Sequence, residues 1–284
     1  MIDIKLLEQL CLCNGISGDE GNVRNLIINE IKDCADDIKT DNLGNLIVFK
    51  KGKKSAKSKL MVSAHMDEVG LMVTDITSDG YLKFDEVGGI DRRVLPGKRV
   101  CVGRNGLNGV IGVKPIHLTN GDEKTAVPKM NDMYIDIGAE SREDALKYVN
   151  YGDGINFEGD FKINGKTVVT KALDDRFGCY VLINLIKSEP EYDMYFTFVV
   201  QEEVGLRGAR SAAFTVNPDF ALVIESTTAA DVAEVDVSHQ VCNLSKGATV
   251  TVMDRATVYD KEMISAAFEL AEKNNIAVQY KRAV

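Results

Sequence analysis

Residues 60–70 read LMVSAHMDEVG, an apolar run, broken only by Ser63, that ends in His65, Asp67 and Glu68. A short apolar run bounded by polar residues and glycine is the pattern of a strand covered on both faces. The pattern recurs twice. MYFTFVV (194–200) runs into Gln201, Glu202 and Glu203, and FALVI (220–224) runs into Glu225. A fourth acidic cluster, Asp174–Asp175–Arg176, opens the helical stretch that follows TVVTKAL (167–173).

Between these runs the periodicity is helical: IKLLEQLCLC (4–13), DRFGCYVLINLIKS (175–188), LRGARSAAFTV (206–216) and YDKEMISAAFELAEKNN (259–275). ATVTVMD (248–254) and AVQYK (277–281) read as further strands. Strands alternating with helices predict an α/β fold, with a mostly parallel central sheet and helices on both faces. The texture changes from about residue 70. GLMVTDI, GYLKFDEV, KRVCVG, GVIGVK and DMYIDIG are short alternating runs divided by the turn signals SDG, PGK and NGD. The expected organisation is one α/β domain, residues 1–69 and 166–284, interrupted by a small β-rich, barrel-like insertion, 70–165. Near the start, Ser17 and Glu20 stand three apart in NGISGDE (14–20), the spacing of a capping box before the next helix, and a cap is the expected role.

Composition narrows the function. The chain has 284 residues and a formal charge of −9, from 34 basic and 43 acidic side chains. That balance argues against nucleic acid, which calls for a basic footprint. No apolar stretch approaches the ~20 residues needed to span a bilayer, so no membrane partner is expected. The six cysteines include no CxxC pair, and MIDIKLLEQL has no signal-peptide run; reduced thiols and a cytoplasmic location are expected. Neither a GxSxG elbow nor a GxxxxGK[ST] loop is present, which argues against serine-hydrolase and nucleoside-triphosphatase chemistry.

In open α/β sheets, ligands bind beyond the carboxyl ends of the strands. Carboxylates converging there repel one another, and a cation relieves that cost. One imidazole among carboxylates suits zinc, cobalt or manganese. Each residue also has a plainer reading. Asp174 and Asp175 would serve as helix caps, His65 as a structural histidine, and strand-end acids as solvated loop residues. His117 and His239 are expected to be structural or surface residues, and Cys179 to pack in the core.

AHMDEVG, KALDDR, QEEVGLRGA and IESTTAADV, in that order, closely resemble the dinuclear metalloaminopeptidases that include tetrahedral aminopeptidase and bacterial glutamyl aminopeptidase. Some members carry the label endoglucanase. The resemblance extends to NGISGDE, DNLGNLI, GVIGVKP and GATVTVMDR. It implies a peptide-trimming enzyme with two divalent ions, zinc or cobalt, sharing a water. His65 and Glu225 would hold one ion, Asp174 would bridge both, and Glu203 would hold the second. The catalytic pair would be Glu202, as general base, and Asp67, bonded to the far nitrogen of His65. The insertion would build a homo-oligomer, a dodecamer in this family. The family pattern also has a further histidine ligand, after a Gly-Gly-Asn/Thr-Asp-type stretch downstream of VMDR. The sequence to QYKRAV (279–284) has neither, so the second metal site is expected to be one ligand short, the last strand and helix of the sheet missing, and activity low. The other readings weighed are a non-catalytic assembly or peptide-binding subunit and a glycoside hydrolase, which needs two carboxylates and no metal.

Overall fold

The structure is a computed structural model and describes residues 3–282. Contacts divide the chain into two compact units, Met1–Ser226 and Thr227–Val284.

The first unit begins with helices α1 (Ile4–Leu12) and α2 (Gly21–Ile31) and strands β1 (Asp37–Thr40), β2 (Leu46–Lys50) and β3 (Leu60–His65). Six strands then follow: β4 (Gly70–Ile76), β5 (Leu82–Val87), β6 (Arg99–Val102), β7 (Leu107–Val113), β8 (Met133–Asp136) and β9 (Gly154–Phe157). The short helix α3 (Arg142–Ala145) lies between the last two. They close into a barrel in the order β4-β5-β8-β7-β6-β9. Leu71 and Val73 point inward and Met72 outward, the period-two alternation that lets one face fill a core. That core, with Leu82, Val100, Ile111, Ile135 and Ile155, is the barrel's own. The sequence runs chosen as strands coincide with five of the six; β9 lies beyond them, because GINF offers only four residues and no alternation.

After the barrel come β10 (Lys162–Asn164), β11 (Thr167–Val169), α4 (Leu173–Lys187), β12 (Met194–Val199), α5 (Arg207–Val216) and β13 (Phe220–Val223). The central sheet has the order β1-β2-β12-β3-β13. β3 pairs parallel with both β12 and β13, whereas β2 pairs antiparallel with β1 and β12. The sheet is therefore mixed rather than mostly parallel; only the half that carries the acidic strand ends is parallel. TVVTKA also departs from expectation, because β11 pairs with β10 in a separate hairpin and does not join the sheet. Helices do cover both faces. Leu6, Leu10, Val23, Ile27, Leu182 and Ile186 pack with Val48, Val62 and Phe196 on one side. Val216 and Ala213 of α5 meet Ile47, Met61 and Tyr195 on the other.

The second unit contains β14 (Ala248–Val250), α6 (Lys261–Lys273) and β15 (Val278–Tyr280). β14 and β15 pair parallel with each other in a two-stranded sheet, not in the central one. Asp260 caps α6 through the amide of Met263.

Candidate metal centre

Register brings the acidic strand ends level. His65 stands opposite Val199, so β3 and β12 finish together and Glu202 and Glu203 begin three residues later. Val223 pairs with Ser63, which carries Glu225 up to the level of His65. Asp174 enters from the first turn of α4, where the Asp174–Asp175 peptide is cis.

At the centre is the buried imidazole of His65. Its Nε2 lies 3.1 Å from Asp174 Oδ1, 3.5 Å from Glu225 Oε1 and 3.9 Å from Glu202 Oε2. Its Nδ1 is 3.1 Å from the main-chain oxygen of Asp67 and 3.5 Å from that residue's carboxylate. In the neutral ring a proton on Nδ1, donated to that carbonyl, would leave the Nε2 lone pair facing the acids, the tautomer a metal ligand needs. Two groups of metal-ligating atoms, each within 4.8 Å of one another, occur among the described residues: His65 with Asp174 and Glu225, and His65 with Glu202 and Glu203. His117 and His239 are exposed, and neither belongs to such a group.

The electrostatics are those of a cage without enough positive charge. Burial, and after it the neighbouring acids, push the Glu202 carboxyl up and bring that of Glu203 to about 7, against the pull of His65. Burial and the nearby Glu225 raise Asp175 to about 9, so it is neutral at pH 7. Burial disfavours charge on His65, but hydrogen bonds to Asp174, Asp67 and Glu225 outweigh it and push its pKa up. Those same bonds depress Asp67 and Asp174 against the cost of their own burial. A divalent cation at Nε2 would do the work that the extra protons do here, so the donor set fits one.

Several supporting residues were not legible from the strand-end pattern. Ser17 does not cap α2. Its hydroxyl donates to Asp67 Oδ2 at 2.6 Å, and the N-cap position, held by Glu20, makes no side-chain capping bond. Glu20 Oε1 accepts instead from the amides of Gly18 (2.7 Å) and Gln201 (3.1 Å). Asp67 accepts from the amides of Glu202 (3.0 Å) and Glu203 (3.1 Å). The Asp175 carboxyl group accepts from the His65 amide at 3.2 Å, and the Cys179 thiol donates to the His65 carbonyl at 3.0 Å. Cys179 is otherwise the core residue it was expected to be.

Below the cage lies a second polar layer. The fully buried Arg176 donates to the carbonyls of Met66 (2.8 Å), Leu10 (2.6 Å), Cys13 (2.7 Å) and Gly15 (3.2 Å). Lys171 reaches both oxygens of Glu68 at 2.7 and 2.8 Å. Glu68 is thus a structural anchor. The barrel also approaches the cage: a Cβ on Gly88 would stand 3.2 Å from Cβ of Glu203.

An imidazole ringed by carboxylates, at the carboxyl ends of parallel strands, is a donor set that fits a metal-dependent hydrolase. The chain belongs to the M42 glutamyl aminopeptidase family, whose model matches residues 44–284. It is 44% identical over 276 residues to a putative aminopeptidase of Acetivibrio thermocellus, covering 96% of this chain and 80% of the relative. An aminopeptidase of the archaeon Desulfurococcus kamchatkensis superposes with a TM-score of 0.92 at 33% identity, over 99% of this chain and 79% of that one. A Pyrococcus horikoshii peptidase described as assembling into a tetrahedron or a large octahedral shell superposes with a TM-score of 0.85 at 41% identity, over 98% and 83%. The chain is an enzyme of the aminopeptidase class.

Proposed function

We propose that the chain removes N-terminal residues from peptides at the His65 centre, with His65, Asp174 and Glu225 holding one divalent ion and Asp174 and Glu203 a second. The observation that carries the reading is the convergence on His65 Nε2 of three carboxylates from three separate segments, the nearest at 3.1 Å. Zinc or cobalt suits one imidazole among carboxylates better than a purely oxygen-loving ion does. When bound, the ions would polarise the scissile carbonyl and lower the pKa of the attacking water.

The chain's own residues supply the proton chemistry. Glu202 is the general base. Its carboxyl faces the cage, with Oε2 3.9 Å from Nε2, and it is half-buried, so it can meet both substrate and water. It takes the water's proton and returns it to the departing amine. Asp67 positions rather than reacts. Its carbonyl orients His65, while its carboxylate holds the Glu202 and Glu203 amides.

We assign residues 1–69 and 166–284 to the catalytic part and 70–165 to an insertion that mediates homo-oligomer contacts. This rests on the barrel's separate core and on the tetrahedral assembly of the Pyrococcus horikoshii relative. A cytoplasmic location agrees with six free cysteines; among the described residues no helix is long and apolar enough to cross a membrane. The family match does not favour the glycoside-hydrolase or non-catalytic readings.

Hydrolysis of an amino-acyl chromogenic substrate by the purified protein, before and after chelation, is the test. Activity lost on chelation and restored by zinc or cobalt is expected. Cleavage of a β-glucan that survives chelation, or no peptide hydrolysis under any metal, would overturn the reading.

A further inference from the structure

The segment that carries the proposed base and ligand leaves β12 in an unusual way. Gln201 has φ +54, a left-handed conformation that is uncommon for a residue other than glycine. The three successive amides of Gln201, Glu202 and Glu203 all point to carboxylates: Glu20 Oε1 at 3.1 Å, Asp67 Oδ1 at 3.0 Å and Asp67 Oδ2 at 3.1 Å. Both carboxylates are buried. Hydrogen bonds to an ionised acceptor are roughly twice as strong as neutral ones, so these three bonds hold the segment, together with the main-chain bonds that Gln201 and Glu202 accept from Arg207 and Leu206.

The carboxylates are themselves held by the loop 14–20. Ser17 Oγ donates to Asp67 Oδ2 at 2.6 Å, and the Gly18 amide donates to Glu20 Oε1 at 2.7 Å. The loop is fixed on both sides. Asn156 of the barrel strand β9 accepts the Gly15 amide at 3.1 Å, and the Glu68 amide donates to the Gly15 carbonyl at 3.0 Å. Ile16 forms a parallel bridge with Glu68. One loop thus joins the barrel, the end of β3 and the strand-end segment 201–203.

We propose that Ser17 and Glu20 are positioning residues that aim Glu202 and Glu203, Ser17 through the Asp67 carboxylate and Glu20 through the Gln201 amide. This rests on the aminopeptidase reading for its catalytic consequence, but the geometry can be tested without it. Neither side chain reaches the cage, so loosening them should alter chemistry more than substrate binding. Residues that orient metal ligands in this way typically change affinity or rate about 10–100-fold when removed.

The experiment uses four proteins: wild type, Ser17→Ala, Glu20→Ala and Glu20→Gln. Hydrogen exchange of the metal-free proteins, read on a peptide spanning residues 200–206, gives the first readout. Exchange about tenfold faster or more is expected in Glu20→Ala, with protection retained in Glu20→Gln, whose amide oxygen still accepts. Zinc affinity and the split between kcat and KM give the second. Both alanine variants should lose kcat about 10–100-fold with KM nearly unchanged and zinc held less tightly, and Glu20→Gln should retain most of the wild-type rate. Unchanged exchange in Glu20→Ala, a Glu20→Gln as impaired as Glu20→Ala, or activity that falls only in step with the folded fraction would overturn the proposal. An inactive wild type with the expected exchange pattern would sink the aminopeptidase reading and leave the positioning geometry standing.

Discussion

Glu202 and Glu203 are adjacent, half-buried and both raised by burial, and the proposed function gives them different work. Glu202→Gln keeps the shape but removes the capacity to accept a proton at neutral pH. We expect peptide hydrolysis to fall by about 10²–10⁴-fold, with zinc content near wild type by elemental analysis. Metal and activity lost together would exchange the roles of the two residues. Arg176 gives a second prediction at this scale. It is fully buried and donates to four carbonyls, of which that of Gly15 also receives the Glu68 amide. Arg176→Leu removes these donors at once and should cost about 3 kcal/mol or more, seen as a lower urea midpoint at unchanged slope. The acidic strand ends were legible in the sequence because an apolar run stopping at a carboxylate is a local pattern. Ser17 and Glu20 were legible only as a cap, since that spacing is shared by caps and by this clamp. What distinguishes them is contact across 50 residues to Asp67 and 181 to Gln201.

At the scale of elements, the sequence pattern located runs but not their partners. LIVFK and MYFTFV are both apolar, and nothing in either records that β2 and β12 pair antiparallel, Leu46 opposite Phe198. Direction depends on how the intervening chain returns, which is why the mixed sheet was expected to be mostly parallel. TVV was assigned to the same sheet because it precedes a helix, and the hairpin with KIN shows that three residues carry too little pattern to choose a partner. The close seat of α5 is better determined. Gly208 lies in its first turn, where an added Cβ would meet Asn45 Oδ1 at 2.3 Å and the Val200 carbonyl at 2.4 Å. Asn45 is buried there, donating to the Gly208 carbonyl at 3.0 Å and accepting the Val200 amide at 3.0 Å. Gly208→Ala forces backbone and Asn45 apart, and we expect it to destabilise by about 1–3 kcal/mol. Helix propensity alone would predict the opposite sign, since alanine is the better helix former by roughly 1 kcal/mol, so a thermal melt decides between the two.

For the whole molecule, the cage ties stability to pH and to metal. The folded values of His65, Glu202, Glu203 and Asp175 are all raised, with Glu203 at about 7 and Asp175 at about 9. A group raised on folding contributes stability that is full below its unfolded pKa and lost as pH climbs through the folded one. Asp67 and Asp174 are depressed and act oppositely, but their loss falls below about pH 4. Between pH 5 and 8 the chelated protein should therefore melt at progressively lower temperature. Saturating zinc, which binds the deprotonated ligands, should flatten the slope; a chelated protein that grows more stable across this range would contradict the assignment. The same geometry limits how many ions are held tightly. Both metal-ligating groups use His65, and only one lone pair is free, because Nδ1 faces the Asp67 carbonyl at 3.1 Å. Once Nε2 joins Asp174 and Glu225, that ion has three protein ligands, the usual number for catalytic zinc. What remains for a second ion among the described residues is carboxylate alone, from Glu203 with Asp174 or Glu202, and carboxylates without imidazole hold zinc or cobalt weakly. The polypeptide of residues 1–284 should thus retain one zinc per chain after exhaustive dialysis and take up a second only at much higher free zinc. Elemental analysis against protein concentration reads this directly. Two ions retained per chain would mean that a further residue completes the second site.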